Sequence, residues 1–245
     1  MRRPQSLTGL VWVGALVVAV LAGALILRSA LATHPHKSAG RRGVATSPTS
    51  EVMRSTPVPT ETASAIATAV PSSAPSDISW SLFDGIALPS SRAAGPTRVD
   101  GAVHASFAHN PEGALVADVQ IAVRYLATPG TGWRDVLSQQ IVPGPGVAAY
   151  TKARIAAGLG NAETVDTAGV GQIVGFRFVT YTPSVAVIQI VVRFPSTGQY
   201  QVVTNTVDWL DGDWKLQLLP DGSSASTQQT VSSLAGFAPW SGVSS

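Results

Sequence analysis

At 245 residues the chain is 45% hydrophobic but only 12% charged, and its 16 Lys and Arg against 14 Asp and Glu leave a formal net charge of +2. The absence of cysteine excludes disulfides, thiolate metal sites, a cysteine nucleophile and lipid attachment through an N-terminal cysteine. The small net charge hides an asymmetry: before residue 77, Arg2, Arg3, Arg28, Lys37, Arg41, Arg42 and Arg54 face only Glu51 and Glu61, and because these bases flank an apolar run, anionic headgroups rather than nucleic acid are their expected partner.

Residues 1–6 form a short tail. From Leu7 to Leu27 the chain reads LTGLVWVGALVVAVLAGALIL, with no charged residue and no polar face. As a helix this run is about 31 Å long, which matches the hydrocarbon core of a bilayer. It predicts a retained single-pass transmembrane helix. The competing reading is a cleaved signal peptide, for which Ala30-Leu31-Ala32 supplies a cleavage motif. The short leading tail with Arg2 and Arg3 predicts a cytoplasmic N-terminus and an extracytoplasmic C-terminal domain, while Arg28, Lys37, Arg41 and Arg42 beyond the span pull the other way.

Residues 28–76 are rich in Ser, Thr, Pro and Ala, as in TSPTS and STPVPTETAS, and carry almost no large apolar side chain to offset the entropy of ordering. A disordered stalk is expected, stiffened by Pro57, Pro59, Pro71 and Pro75.

A folded domain is predicted over 77–245. Its first apolar cluster, SWSLFDGIALP, reads as a lead-in rather than a strand, and Pro89, Gly95, Pro96 and Gly101 punctuate an irregular stretch after it. Asn110-Pro111-Glu112 signals a helix start, with Asn as cap, Pro at the first helical position and an acid near the positive end of the dipole. Leu115, Val119, Ala122 and Leu126 then repeat at helical spacing to about Ala127, with Gln120 and Arg124 elsewhere around the axis. Further helices are expected over Trp133–Ile141 and from Val147 to about Leu159, separated by Pro143-Gly144-Pro145-Gly146.

After Gly171 the period changes. QIVGFRFVTYT, SVAVIQIVVRF, QYQVVTNTVDWL and DWKLQLL read as four strands of an antiparallel meander. Asp211-Gly212 is a two-residue hairpin turn, which sets Leu210 opposite Asp213, Trp209 opposite Trp214 and Val207 opposite Leu216. Helices followed by such a meander make an α+β domain.

The order of elements, with the terminal VDWLDGDWKLQL hairpin, resembles the nuclear transport factor 2-like (cystatin-like) superfold, in which helices pack on a curved four-stranded sheet. With its tail, anchor, stalk and exported domain, the chain further resembles the bitopic assembly proteins of conjugative and type IV secretion systems. TcpC-like proteins and their VirB-eight relatives are the nearest type, on NPEGALVADVQIAVRYLA, VPGPGVAAYTKAR and the terminal hairpin. The resemblance implies a non-catalytic component acting through contacts with the membrane, with other envelope or secretion proteins and with further copies of itself. Two alternatives stay open: a small-molecule-binding or enzymatic domain of the same superfold, and an accessory protein of a lipid-import system.

Enzymes of that superfold use an Asp or His in a conical pocket, so Asp118, Tyr125, His104 and His109 merit attention. Asp118 and Tyr125 share a helix face with Ile121, but a carboxylate in a helix is ordinarily solvated. His104 and His109 read as loop residues near a helix N-terminus, where a positive imidazole is disfavoured. His34 and His36 fall in the stalk. Gly158, Gly160, Gly169 and Gly171 follow a helix and precede a strand, the reverse of a dinucleotide fingerprint. Asp208, Asp211 and Asp213 cluster at a hairpin whose turn itself requires Asp211-Gly212. The sequence thus predicts no catalytic, cofactor-binding or metal-binding residue, and Trp240, in the tail SLAGFAPWSG, either packs on the domain or docks a partner.

Overall fold

Asn110 caps the first helix as its side chain allows: its backbone is extended, and its Oδ1 accepts from the Gly113 N–H at 2.8 Å, with Pro111 in the first turn. The computed structural model describes residues 69–243 other than Ala168. The predicted tail, transmembrane helix and most of the stalk lie outside the described residues, and among the described residues no helix is long and apolar enough to cross a membrane.

In chain order the elements are β1 (Ile78–Phe83), β2 (Ile86–Ser91), β3 (Arg98–Asp100), β4 (Val103–Ala105), α1 (Pro111–Ala127), α2 (Trp133–Gln140), α3 (Pro145–Ala156), β5 (Gln172–Tyr181), β6 (Val185–Arg193), β7 (Tyr200–Leu210), β8 (Asp213–Leu216), β9 (Thr227–Val231) and β10 (Ala238–Pro239). The domain is α+β, and the helices and the meander follow the expected order, but α3 begins at Pro145, inside the expected breaker, because Pro suits a first helical turn, and it ends at Ala156 rather than near Leu159.

The meander has the expected register, with Leu210 opposite Asp213, Trp209 opposite Trp214 and Val207 opposite Leu216. Asp211 and Gly212 sit at φ 56° and 80°, the left-handed pair that a two-residue hairpin turn demands. The sheet differs from expectation in size. It has six strands in the order β10-β5-β6-β7-β8, and β9 pairs with β7 beside β8. These extra strands come from the C-terminal tail, where polar TQQTV and the dipeptide Ala238-Pro239 give no strand period. Register shifts at Ile173/Gly175 and Phe178/Thr180 mark irregularities in β5, of the kind that strengthen twist.

The lead-in is also a correction. It forms the antiparallel hairpin β1–β2, turned at Asp84 (φ 49°) and Gly85 (φ 82°) with Phe83 opposite Ile86. Four of the six β2 residues, Ile86 to Pro89, are buried in sequence, because this strand has cover on both faces. A second hairpin, β3–β4, turns at Gly101.

The core gathers around α1. Leu115, Val116, Ile121 and Tyr125 of the helix are fully enclosed, together with Ile86 and Leu88 of β2, Trp133 of α2, Phe176, Ile188 and Val207 of the large sheet, and Trp214 and Leu216 of β8. The expected polar side of α1 is enclosed as well: Gln120 is 2% exposed and Arg124 6%. Gln120 Nε2 donates to the Pro89 carbonyl of β2 at 2.7 Å and its Oε1 accepts from Arg124 Nε at 2.8 Å, while the Arg124 guanidinium lies 4.4 Å from the centre of the Phe83 ring. The β1–β2 hairpin is what covers this side.

The C-terminus of α1 is held from α3. Buried Arg154 donates from Nη1 to the carbonyls of Leu126 (2.6 Å) and Tyr125 (3.2 Å), and from Nη2 to that of Thr128 (2.6 Å). Its charge thereby meets the negative end of the helix dipole. Trp133 lies 5.0 Å from the guanidinium, and Tyr150 Oη accepts from Nη1 at 2.7 Å while donating to the Tyr125 carbonyl at 2.6 Å.

Candidate functional site

Asp118 on α1 and Asn205 on β7 meet where the helix lies on the sheet. Asn205 follows Val203 and precedes Val207 on the inner face of a strand whose side chains alternate, so its amide enters an apolar layer. Its Nδ2 donates to Asp118 Oδ1 at 2.7 Å. Asp118 is 0% exposed, and both Asp118 Oδ2 and Asn205 Oδ1 are buried without a partner among the described residues. Burial pushes the Asp118 carboxyl up to about 7, against the opposing pull of the Asn205 bond. A proton on Asp118 turns one of the two orphan acceptors into a donor. The expectation of a solvated helix-face carboxylate is therefore corrected: this face of α1 carries the one acid that the sheet opposite is equipped to meet.

Beside the pair is a cavity of about 60 Å³ between α1 and the sheet, with Val119, Val123, Ile190, Val203, Asn205 and Ser224 in its wall. It has room for a few water-sized molecules. Neither Asp118 nor Tyr125 lines it. Tyr125 is fully buried, and that burial raises its hydroxyl well above the usual phenol range. A general acid must lie within hydrogen-bond reach of the atom it protonates. The wall that the cavity offers is an amide, a serine and a ring of aliphatic groups.

The other polar residues of interest are spread over the domain. His104 is in β4, half-buried, and burial together with the charge of Arg124 brings its imidazole down to about 4. His109 precedes the cap of α1, stacks on Trp209 at 3.9 Å with the rings 6° apart, and its Nε2 bonds the Pro183 carbonyl at 2.5 Å. Asp213 accepts from the backbone N–H groups of Ser106 (2.7 Å), Phe107 (3.0 Å) and Trp214 (2.9 Å), which fastens the segment ahead of α1 to the β7–β8 hairpin. Exposed Asp211 pairs with the largely covered Lys215 side chain at 2.5 Å, and burial raises Asp208. The three acids thus have separate structural settings. Gly158 (φ 77°) ends α3 as a stop signal should.

Sequence reasoning missed Asn205 and Arg154. The signal for Asn205 is a lone amide on the apolar face of a strand, which needs a polar partner on the element above it. Arg154, one of two bases in a helix with few acids near it, gives no such signal.

No curated protein and no solved structure matches this chain. A family model described as Domain of unknown function (DUF8175) matches residues 41–239, a span that begins inside the predicted stalk and takes in the domain as far as β10. On that match, which covers most of its length, the chain belongs to the DUF8175 family.

Proposed function

We propose that the protein is a non-catalytic assembly component of a conjugative, type IV secretion-like apparatus, held at the cell membrane by residues 7–27 with its α+β domain outside. We take the domain, with α1 to α3 set on a bulged meander, as a nuclear transport factor 2-like fold. The observation that carries the reading is the cavity between α1 and the sheet. It is small, almost wholly aliphatic, and not reached by Asp118 or Tyr125, so the place where this superfold does chemistry is given over to packing. Function then resides on the outer surface, with the anchor supplying location and the stalk supplying reach.

The test is genetic. Deleting the gene is expected to abolish transfer of a conjugative element or secretion of a substrate. A copy with a foreign transmembrane helix should restore it, and residues 77–245 alone should not. Full rescue by the soluble domain, or no transfer or secretion phenotype on deletion, overturns the proposal. The raised carboxyl of Asp118 favours a second reading, a domain that binds a small molecule. Complete loss of function in a folded, normally abundant Asp118→Asn variant would select it.

A further inference from the structure

Strand β2 turns three of its residues away from β1. Ala87 gives its N–H to Gln172 Oε1 at 3.1 Å, the Pro89 carbonyl accepts from Gln120 Nε2 at 2.7 Å, and Ser91 exchanges both backbone bonds with Gly95 at 2.9 Å. Opposite residues of an antiparallel pair either bond each other or both face outward. Leu82, Trp80 and Ile78 stand opposite Ala87, Pro89 and Ser91, and so direct their N–H and C=O groups to the free side of β1. Among the described residues no hydrogen bond reaches any of these six backbone groups. The C-terminal tail meets β1 through the Trp80 indole, against which Gly242 lies, and not through the backbone.

Natural sheet edges are ordinarily blunted by charges, proline or bulges. The open part of β5 has such devices: Arg177 is exposed there, and the register shifts between Phe178 and Thr180. Strand β1 has none. From Ile78 to Phe83 its register is unbroken, and ISWSLF holds no charge, proline or glycine. Leu82, beside this unguarded edge, is 74% exposed. The sequence of the edge has a further property: Ile78-Ser79-Trp80-Ser81-Leu82 reads the same in both directions apart from the exchange of Ile and Leu. An antiparallel pair of identical strands sets a segment against its own reversal, so such a palindrome places like beside like.

We propose that β1 pairs edge to edge with β1 of a second copy of this chain, antiparallel about a twofold axis at Trp80, and joins the two hairpins into one four-stranded sheet. In this register Trp80 stands opposite its counterpart and Ile78 opposite Leu82 in both directions, so all six outward groups of each copy are bonded. Ser79 stands opposite Ser81, a pairing that sheets favour, and no like charges meet along the ladder. The occupant follows from the edge itself, which carries no charge to select a foreign strand and is matched by its own reversal. The proposal rests on the contact reading above, because an anchor in a shared membrane, with residues 28–76 for reach, raises the concentration at which copies meet.

The chain has no cysteine, so single cysteines report the register. Ser79→Cys and Ser81→Cys are made separately in the full chain, reconstituted singly or together in phosphatidylcholine vesicles, and oxidised. The proposed register sets position 79 opposite 81 at about 4.5 Å between Cα atoms, whereas 79 with 79 or 81 with 81 lies beyond the roughly 7 Å that a disulfide spans. The mixture is expected to give at least about fivefold more cross-linked dimer than either chain alone, or than Ser138→Cys on α2. Leu82→Pro removes an N–H that a single copy does not use, and should lower the yield of the mixture about tenfold with the melting temperature unchanged. Both serines are exposed and cysteine is nearly isosteric, so the register test decides the matter even where the proline disturbs the hairpin. Equal yields from mixed and single samples, or an undiminished yield with Leu82→Pro in a folded chain, overturns the proposal. So does the absence of cross-links; amide exchange at Trp80 and Leu82 then separates an edge covered by a segment of the same chain, which protects them, from one left to another protein, which does not. These outcomes are read without any transfer assay, so failure here leaves the assembly role to be judged on its own phenotype.

Discussion

Asn205 donates to Asp118 across 2.7 Å, and this single side-chain bond links the central helix α1 to the central strand β7 inside an otherwise aliphatic layer. The free energy of that link depends on a proton. The Asp118 carboxyl stands at about 7 in the folded protein against an ordinary 3.8. Its contribution to stability is therefore fully present below about 3.8 and is lost as the pH rises through about 7.

Asp118→Asn removes this loss, because an amide stays neutral and keeps an acceptor for Asn205. The difference in melting temperature, variant minus wild type, should grow from about pH 4 to about pH 7 and level off above it. The pH profile of the wild type alone is less informative. His104, at about 4 instead of 6.5, gains stability as the pH rises across much of the same window and offsets Asp118. A difference that stays constant with pH would show that Asp118 ionises freely in the fold.

Arg154→Met should destabilise the domain by at least ~3 kcal/mol, since it strips donors from several buried carbonyls at the end of α1. Urea denaturation measures it. A loss below about 1 kcal/mol would mean that water replaces the guanidinium there.

Gly113→Ala runs against helix propensity, by which Ala is favoured by about 1 kcal/mol. A Cβ at this position would lie 2.0 Å from the Ala108 carbonyl oxygen, and that carbonyl is fixed by the Trp214 indole N–H at 3.0 Å. We expect a loss of about 1–3 kcal/mol in urea denaturation, the usual cost of overpacking. Increased stability would show that the loop before α1 yields easily.

At Gly212 the space is open and the constraint is backbone alone, with φ at 80°. Gly212→Val should cost at least ~1 kcal/mol, whereas Gly212→Asn, which tolerates this region, should cost a few tenths. Equal melting temperatures for the two variants would contradict the turn.

What the sequence made legible follows from which signals are local. Asn110-Pro111, the apolar period of α1 and the Asp211-Gly212 turn are each contained in a few residues, so the helix start and the register of β7 and β8 could be read directly. The same Asp-Gly signal stands at Asp84-Gly85, where the β1–β2 hairpin turns, but the flanking SWSLF and IALPSS lack alternation because β2 is covered on both sides. Missing that hairpin is what left Gln120 and Arg124 without an assigned cover in the sequence reading. Asp118 and Asn205 lie 87 positions apart, and only the tertiary fold brings the two together.

The β1–β2 hairpin has a mechanical consequence. Among the described residues strand β1 is bonded only to β2, and its first pair, Ile78 with Ser91, is at the open end, next to the side from which the chain arrives. Tension along that incoming chain loads the ladder one pair at a time rather than all pairs together, the geometry in which a strand peels at low force. The hairpin would then yield before the large sheet, lengthening the connection by the contour of β1, with Asp77, bonded to Ser91 Oγ at 2.6 Å and to the Ala93 N–H at 3.1 Å, acting as the first catch to release.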